Sequence, residues 1–241
     1  MKLKEFLKRI TFYKGSKFER FVWQKKYERN ERIRRKKKNK VLNQFGIELL
    51  DKLTLATSDM RVNFWLEWGT LLGGYRDKSF ISHDYDLDVG VLAQDYSENF
   101  DAVLMKYGFT VRRKIYIRRR NSVEARLVEV TYDYKDFSVD VSIEYSDGDN
   151  RRLYLICGHN SIHKPNEFEV HVYTHNFPYP LEKVYINGHV YNAPNSPEIT
   201  LKNVYGETYM IPNPNWLTTR QYHNVEIMDF DEVYGYVEGK W

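Results

Sequence analysis

Three aspartates at alternate positions run directly into an apolar strand in the segment ISHDYDLDVGV, residues 81–91. If this segment is extended, Asp84, Asp86 and Asp88 project from one face, and the residues between them line the other. Carboxylates packed this closely repel one another unless a positive charge sits between them. The pattern therefore predicts a strand whose first residues hold a cation.

The residues upstream of the aspartates predict a turn that contacts a phosphate group. A short aromatic strand, residues 63–68, leads into Gly69 and Thr70, where we expect the chain to turn into a helix. The first amides of a helix have no partner within it and can bind phosphate oxygens. Arg76 lies on the same helix, within reach of the same ligand.

A later strand offers a third carboxylate. In FSVDVSIEY, residues 137–145, Val139, Val141 and Ile143 form a predicted buried face, and Asp140 points the other way. Carboxylates at i and i+2 of one strand can bridge one or two Mg²⁺ ions, which prefer oxygen ligands. Such ions draw phosphate oxygens and an attacking hydroxyl together for in-line displacement. A strand ending in Gly-Thr, a short helix and Asp-x-Asp on the next strand resembles the nucleotidyltransferase fold, which usually adds a third carboxylate.

The composition indicates one sizeable domain without disulfide bonds. A chain of 241 residues with 42% hydrophobic content is long enough to bury a core. Its single cysteine, Cys157, cannot form an intrachain disulfide, which is compatible with a reducing compartment. No run of about 18 apolar residues is present, and basic residues interrupt any signal-like segment at the N-terminus. We therefore expect a cytoplasmic protein.

Basic residues are concentrated in the first 40 positions. This segment carries 17 Lys and Arg against 4 Glu, so that of the 37 basic and 33 acidic residues of the whole chain the remainder holds 20 and 29. The spacing of its apolar residues predicts a helical arm. Three interpretations stay open: a solvated helix packed on the acidic body, a peripheral helix on the inner face of an anionic membrane, or a nucleic-acid contact. The acidic remainder would oppose a long polyanion, so we expect no nucleic-acid partner.

The rest of the chain is expected to form a catalytic domain over residues 41–214, followed by an acidic and aromatic tail, residues 215–241, that packs on it. Apolar residues at steps of three and four predict a core-facing helix at the start of this domain. These residues are Leu42, Phe45, Leu49, Leu53 and Ala56.

Two segments resemble the LicD/fukutin-related phosphotransferase family. FWLEWGTLLGGYRDKSFISHDYDLDVGV, residues 64–91, resembles its signature of a Gly-Thr-Leu-Leu-Gly helix, a following Arg and a tight aspartate cluster ahead of a strand. Residues 177–212 resemble its closing segment, with a Phe-Pro entry, a strand pair around Asn-Gly and a helix led by Pro197. The chain departs from the signature at Tyr85, where the family usually has consecutive aspartates.

The resemblance implies a fold and an activity. The fold is α+β, with a nucleotidyltransferase-like mixed sheet flanked by helices and here preceded by the basic arm. The activity is transfer of a phospho-alcohol from a CDP-linked donor, such as CDP-choline, CDP-ribitol or CDP-glycerol, to a sugar hydroxyl, with release of CMP. The carbohydrate acceptor would be a cell-surface glycan such as a capsule, a teichoic-acid-like polymer or a lipooligosaccharide. The cofactor would be Mg²⁺ or Mn²⁺, as two ions.

The same resemblance implies roles for particular residues. Asp86 and Asp88 would hold the metal across the donor's diphosphate, and Asp140 would complete the metal site and accept the proton of the incoming hydroxyl. The expected substrate-binding residues are Gly69, Thr70, Arg76, His83 and Asp84.

Other interpretations remain open on the sequence. The same carboxylates would serve a nucleotidyltransferase that moves NMP to a small molecule and releases pyrophosphate, and a non-catalytic member of the family would only bind a glycan. A second group has spacings that zinc ligands can show, although zinc sites with one cysteine are uncommon. It comprises Cys157, His159, His163, His171 and His175.

Overall fold

A single long helix, α1 (Lys17–Asp59), opens the part of the chain that the computed structural model describes, residues 17–97, 99–157, 165–213 and 223–240. The helix has one glycine and no proline, so nothing in it ends a helix early. It therefore crosses residue 40 without a break, and the described part of the basic arm is continuous with the predicted core-facing helix. The stripe on its C-terminal half is buried as predicted at Leu42, Leu49, Leu53 and Ala56, with Phe45 half-buried.

Short elements follow and carry the predicted site motif. Strand β1 (Trp65–Leu66) leads into helix α2 (Trp68–Leu72), which continues as a π-helical turn (Gly73–Asp77). Strand β2 (Asp88–Leu92) then pairs antiparallel with β1, and helix α3 (Phe100–Lys106) comes next. The sequence motif is thus compressed into a few turns of backbone beside one sheet edge.

Nine strands of the described residues form one sheet. Besides β1 and β2, these are β3 (Thr110–Arg119), β4 (Ala125–Tyr134), β5 (Phe137–Asp147), β6 (Asn150–Cys157), β7 (Glu169–Asn176), β10 (Val225–Ile227) and β11 (Val233–Gly239). Their order is β10-β7-β6-β5-β4-β3-β11, with β2 paired to β5 and β1 paired to β2. Most neighbours are antiparallel, whereas β2 and β5 are parallel.

The sheet curls, because a bridge between Phe168 and Gly235 joins the start of β7 to β11. The curl encloses one apolar cluster, which includes Ile115, Tyr154 and Val170. A larger cluster lies between the other face of the sheet and the helices. The α+β class with a mixed sheet and flanking helices is confirmed.

The closing segment has the predicted form. Strands β8 (Glu182–Ile186) and β9 (His189–Ala193) make a hairpin whose turn residues, Asn187 and Gly188, both have positive φ, as a two-residue turn of this kind requires. Helix α4 (Pro197–Tyr205) begins at the predicted proline, and Gly206 caps its end.

The C-terminal tail is built into the sheet. We expected it to pack on the body, but residues 223–240 supply β10, which pairs with β7, and β11, which pairs with β3. Alternate residues of β11, Val233, Gly235 and Val237, face the curled core. The expected boundary at residue 215 falls outside the described residues, and the sheet continues beyond it.

A charged network lies in the core beneath the site. Arg151 is fully buried and donates hydrogen bonds to Glu67 at 2.6 Å, to Glu144 and to the carbonyl oxygen of Asn176 at 2.6 Å. The Glu67 carboxylate also accepts a hydrogen bond from the Trp65 indole at 2.6 Å. Glu67, which reads as an ordinary strand residue in the sequence, thus joins β1 to β5 and β6 through Arg151.

His175 packs beside this network, and its protonation should make stability depend on pH. Burial and the Arg151 charge hold the pKa of His175 well below its usual value. Below about pH 6.5 the unfolded chain takes up a proton that the folded chain does not, so stability is lost as pH falls, by up to about 1.4 kcal/mol per pH unit. Replacing His175 with Phe, which keeps the ring stacked on Tyr173, should make the free energy of unfolding fall less steeply between pH 6.5 and 5 in urea titrations. Equal slopes for the two proteins would contradict this assignment.

Candidate active site

The parallel pairing of β2 and β5 places two of the predicted carboxylates side by side. Asp88 is directly opposite Asp140 in the register, and Val89 is opposite Val141. The amide of Asp140 donates a hydrogen bond of 2.8 Å to the carbonyl oxygen of Leu87, which fixes this register at its first residue. Paired residues of adjacent strands point to the same face of the sheet. Both side chains therefore face one cleft.

The cleft has a volume of about 680 Å³ and contains the whole predicted carboxylate set. Asp84 and Asp86 reach it from the irregular segment that precedes β2. The structure therefore brings Asp84, Asp86, Asp88 and Asp140 to one cleft, although the strand begins only at Asp88 and does not include Asp84 and Asp86 as the alternating pattern suggested.

The turn at Gly69 and Thr70 contacts the segment that carries Asp84, Asp86 and Asp88. The Thr70 hydroxyl accepts a hydrogen bond of 3.0 Å from the amide of Asp88. A methyl group on Gly69 would lie 2.6 Å from Oδ2 of Asp84, so a larger residue at position 69 would require the Asp84 carboxylate to move. Gly69 lines the cleft, whereas the described contact of the Thr70 side chain is structural.

The positive charges near the carboxylates do not offset their burial and mutual repulsion. Burial, followed by repulsion from Asp86 and Asp140, holds the pKa of Asp88 well above its usual value. Burial likewise raises the pKa of Asp84 and of Asp86. A site that disfavours its own ionised form in this way is one that a bound cation would stabilise.

Three residues beside Asp140 were not anticipated from the sequence. The Thr131 hydroxyl donates to Oδ1 of Asp140 at 2.5 Å, and the Arg113 guanidinium lies 3.6 Å from Oδ2. Arg113 also donates to the Thr131 hydroxyl at 2.8 Å and to Glu129 at 3.1 Å. Burial and the Asp140 charge raise the pKa of Glu129 to about 8. The only sequence signal for any of these three residues was Glu129, an acidic residue within the apolar run of β4.

Helix α1 covers the aspartate segment from the other side. The guanidinium of Arg35 lies 4.8 Å from the centre of the Tyr85 ring, and the Lys38 ammonium lies 5.8 Å from it. The Asn39 side chain donates a hydrogen bond of 2.6 Å to the carbonyl oxygen of Asp84. The basic helix therefore forms part of the site, which the sequence did not indicate.

The predicted residues Arg76 and His83 line the cleft at some remove from the carboxylate pair. Arg76 forms a salt bridge of 2.7 Å with Asp77 and donates to the carbonyl oxygen of Tyr209 at 3.3 Å. Burial, followed by the Arg76 charge, lowers the pKa of His83, which favours its neutral form. Both side chains can contact a ligand that extends from the carboxylates towards Tyr209.

The opposite wall of the cleft is apolar and aromatic. Trp68, which starts α2 in the left-handed region with φ of 47°, packs edge-on against Tyr173 with ring centroids 5.0 Å apart. Together with Leu72, Ile115 and Tyr205 they exclude water from one side of the cleft. Tyr173 thus lines the cleft, whereas Tyr179 packs against Trp65.

The Cys-His group is divided by the fold. Cys157 and His171 line the cleft, whereas His175 is buried beside Arg151. His159 and His163 lie outside the described residues. The question of a zinc site in this group therefore stays open.

The carboxylates fit a hard divalent cation by their chemistry. Asp86, Asp88 and Asp140 offer only oxygen donors, and the mutual repulsion of these acids raises the pKa of Asp86 and Asp88. Within the described ranges, no group of three or more His, Cys, Asp or Glu side chains is already positioned to hold a metal ion.

Replacing Gly69 with Ala should disrupt the site. The added methyl group would meet Asp84 at 2.6 Å, so we expect a loss of about 1–3 kcal/mol in the free energy of unfolding, as for other overpacked positions. Adding Asp84→Ala to this variant removes the clash and should restore most of the loss, measured by urea unfolding. A double variant no more stable than Gly69→Ala alone would contradict the proposed contact.

Comparisons with known proteins agree with the geometry. The profile of the family described as LicD/FKTN/FKRP, nucleotidyltransferase domain, matches residues 61–196. The ribitol-5-phosphate transferase FKTN of Homo sapiens is 27% identical over 196 residues, which cover 77% of this chain and 39% of that protein. The FKTN protein of Mus musculus is 31% identical over 104 residues, 43% of this chain and 21% of its own length. The chain thus aligns with well under half the length of either relative.

Proposed function

Since the chain belongs to the LicD/FKTN/FKRP family, whose profile matches residues 61–196, we propose that it is a phosphotransferase. In this proposal it moves a phospho-alcohol from a CDP-linked donor to a sugar hydroxyl of a glycan, releases CMP and depends on Mg²⁺ or Mn²⁺. The observation that carries the proposal is the direct pairing of Asp88 with Asp140 in one cleft with Asp84 and Asp86.

Ribitol phosphate is the alcohol that we propose first. The FKTN relatives of this chain in Homo sapiens and Mus musculus are named ribitol-5-phosphate transferases. Glycerol phosphate and phosphocholine are the other candidates, because selectivity among alcohols depends on a few side chains that identity at this level does not fix.

The metal would be held by Asp86, Asp88 and Asp140. When bound, it would neutralise the charge of the donor's diphosphate and of the group being transferred. Arg113 and Thr131 fix the orientation of Asp140 through its two oxygens. So oriented, Asp140 can accept the proton of the incoming sugar hydroxyl while the phosphorus–oxygen bond to CMP breaks.

The other residues of the cleft position the substrates. Gly69 lets the chain pass close to Asp84, and Thr70 holds Asp88 in place through its amide. The apolar wall beside Trp68 keeps water away from the transferred group, so that the sugar hydroxyl rather than water is the acceptor. Arg76 and His83 would contact the part of the ligand that extends towards Tyr209.

We also propose a peripheral contact between the basic residues of positions 1–40 and an anionic membrane. In the described part of this segment Arg29, Lys36 and Lys37 are exposed, and basic residues near an anionic surface contribute about 1 kcal/mol each. No helix within the described residues has the length and apolarity needed to cross a bilayer. Co-sedimentation with vesicles that contain phosphatidylserine, compared with neutral vesicles, tests the contact.

Product analysis tests the proposed reaction. The full chain with Mg²⁺ is incubated in turn with CDP-ribitol, CDP-glycerol, CDP-choline and CDP-ethanolamine, with and without a candidate glycan, and nucleotides are separated by chromatography. We expect CMP from CDP-ribitol, at a rate that rises when the acceptor is added. Pyrophosphate from CTP without CMP from any CDP-alcohol would favour the nucleotidyltransferase alternative, and the absence of both products would favour a glycan-binding role.

A further inference from the structure

Arg35 and Lys38 lie against the aspartate segment but precede the family-matched residues 61–196 in the chain. We propose that Arg35, assisted by Lys38, forms a subsite for a phosphate or diphosphate group at the mouth of the carboxylate cleft. The proposal rests on the proposed function, because it assigns the charged part of that substrate to a particular contact. It gives helix α1 a role in substrate binding.

The contact between Arg35 and the Tyr85 ring leaves the N–H groups of the guanidinium available for a ligand. Its guanidinium lies 4.8 Å from the centre of the Tyr85 ring. A guanidinium stacked on an aromatic face keeps its N–H groups in the plane of the fork, where they can bind two oxygens of a phosphate. Among the described residues, no carboxylate or carbonyl oxygen accepts a hydrogen bond from Arg35. An arginine held in place but not hydrogen-bonded is suited to an anionic ligand.

The position of Arg35 relative to the acids supports the same role. Arg35 lines the same cleft as Asp86 and Asp88. Lys38 lies beside the same ring of Tyr85, which is next to Asp84 and Asp86 in the chain. A phosphate that approaches the carboxylate cleft therefore meets these two cations as it does so.

A hydrogen bond holds helix α1 against the aspartate segment, next to Arg35 and Lys38. The Asn39 amide donates a hydrogen bond of 2.6 Å to the carbonyl oxygen of Asp84, one turn along the helix from Arg35. Tyr85, half-buried between Asp84 and Asp86, supplies the platform. Arg35 is thus on a helix that is hydrogen-bonded to the segment that carries the acids.

The other arginines of the cleft are already engaged. Arg113 donates to Glu129 and to Thr131, and Arg76 forms a salt bridge with Asp77. An acidic cleft repels a diphosphate unless positive charge is offered at its entrance. Arg35 and Lys38 offer that charge from an element outside the matched family segment, which begins at residue 61.

Titration with inorganic pyrophosphate in Mg²⁺ buffer tests the subsite without needing the natural donor. Isothermal calorimetry on the full chain compares the wild type with Arg35→Gln, Lys38→Gln and the control Lys37→Gln, an exposed residue of the same helix. We expect the dissociation constant to rise at least about tenfold for Arg35→Gln and severalfold for Lys38→Gln. The control should stay within about twofold of the wild type.

The Tyr85 ring, on which Arg35 stacks, gives a second pair of variants. Tyr85→Leu removes the ring and should weaken pyrophosphate binding severalfold, whereas Tyr85→Phe keeps the ring and should bind as the wild type does. Magnesium affinity, measured without pyrophosphate, should stay within about twofold for Arg35→Gln, because the subsite binds the anion and not the metal.

Two results would overturn the proposal. One is pyrophosphate binding by Arg35→Gln equal to that of the Lys37→Gln control. The other is a loss of magnesium affinity as large as the loss of pyrophosphate affinity, which would mean that Arg35 only maintains the carboxylates. Failure of the proposed function would appear differently, as a wild-type protein that binds pyrophosphate and releases no CMP from any CDP-alcohol.

Discussion

Replacing Asp88 with Asn should lower CMP release from a CDP-alcohol by at least about 10²–10³-fold, the range seen when one preorganised electrostatic group is removed from a reaction centre. Asp88 faces Asp140 across the β2–β5 pair, and repulsion among the acids raises its pKa. The asparagine variant removes that repulsion. In metal-free buffer it should therefore unfold at the same temperature as the wild type or at a higher one.

The matched control for this change is Asp136→Asn. Asp136 is exposed in the turn between β4 and β5, only four residues before Asp140, so it tests the loss of an acid outside the cleft. Its CMP release should stay within about twofold of the wild type. An Asp88→Asn protein that keeps full turnover would show that the carboxylate pair takes no part in the reaction.

Replacing Arg151 with Met should lower the free energy of unfolding by about 3–5 kcal/mol, the cost of leaving buried charges without their partner. Arg151 and Glu144 are fully buried and Glu67 nearly so, and Arg151 bonds to both carboxylates. Adding Glu67→Gln and Glu144→Gln removes the stranded acids and should recover part of the loss. Urea unfolding of the three proteins measures these differences.

The neighbouring arginine provides the control. Arg152 pairs with Asp147 at 2.7 Å on the surface, so Arg152→Met should cost less than about 1 kcal/mol. If Arg151→Met were no more costly than Arg152→Met, the buried network would not be what joins β1 to β5 and β6.

Local sequence patterns predicted several of the secondary-structure elements that carry the site. Alternation placed Asp140 on the open face of β5, and the spacing of three and four placed Leu42 and Leu49 in the core. Proline and Asn-Gly signals set the bounds of α4 and of the β8–β9 hairpin. These features depend on neighbours within one turn or one strand, where the sequence is most informative.

The features that the sequence did not indicate depend on distant parts of the chain. Arg35 acts through Tyr85, 50 residues away, and only the packing of α1 on the aspartate segment reveals this. Glu129 and Arg113 become part of the site because β3 and β4 pair with β5. The alternating pattern of β11 predicts a strand but not its partner, and its place beside β3 follows from the curl of the sheet.

Binding of Mn²⁺ to the full chain, followed by electron paramagnetic resonance, tests the metal site itself. We expect the wild type to bind Mn²⁺ and Asp86→Asn, Asp88→Asn and Asp140→Asn each to weaken the binding at least about tenfold, whereas Asp136→Asn should leave it unchanged. Equal binding by Asp140→Asn and the wild type would contradict the claim that the two strands together hold the metal.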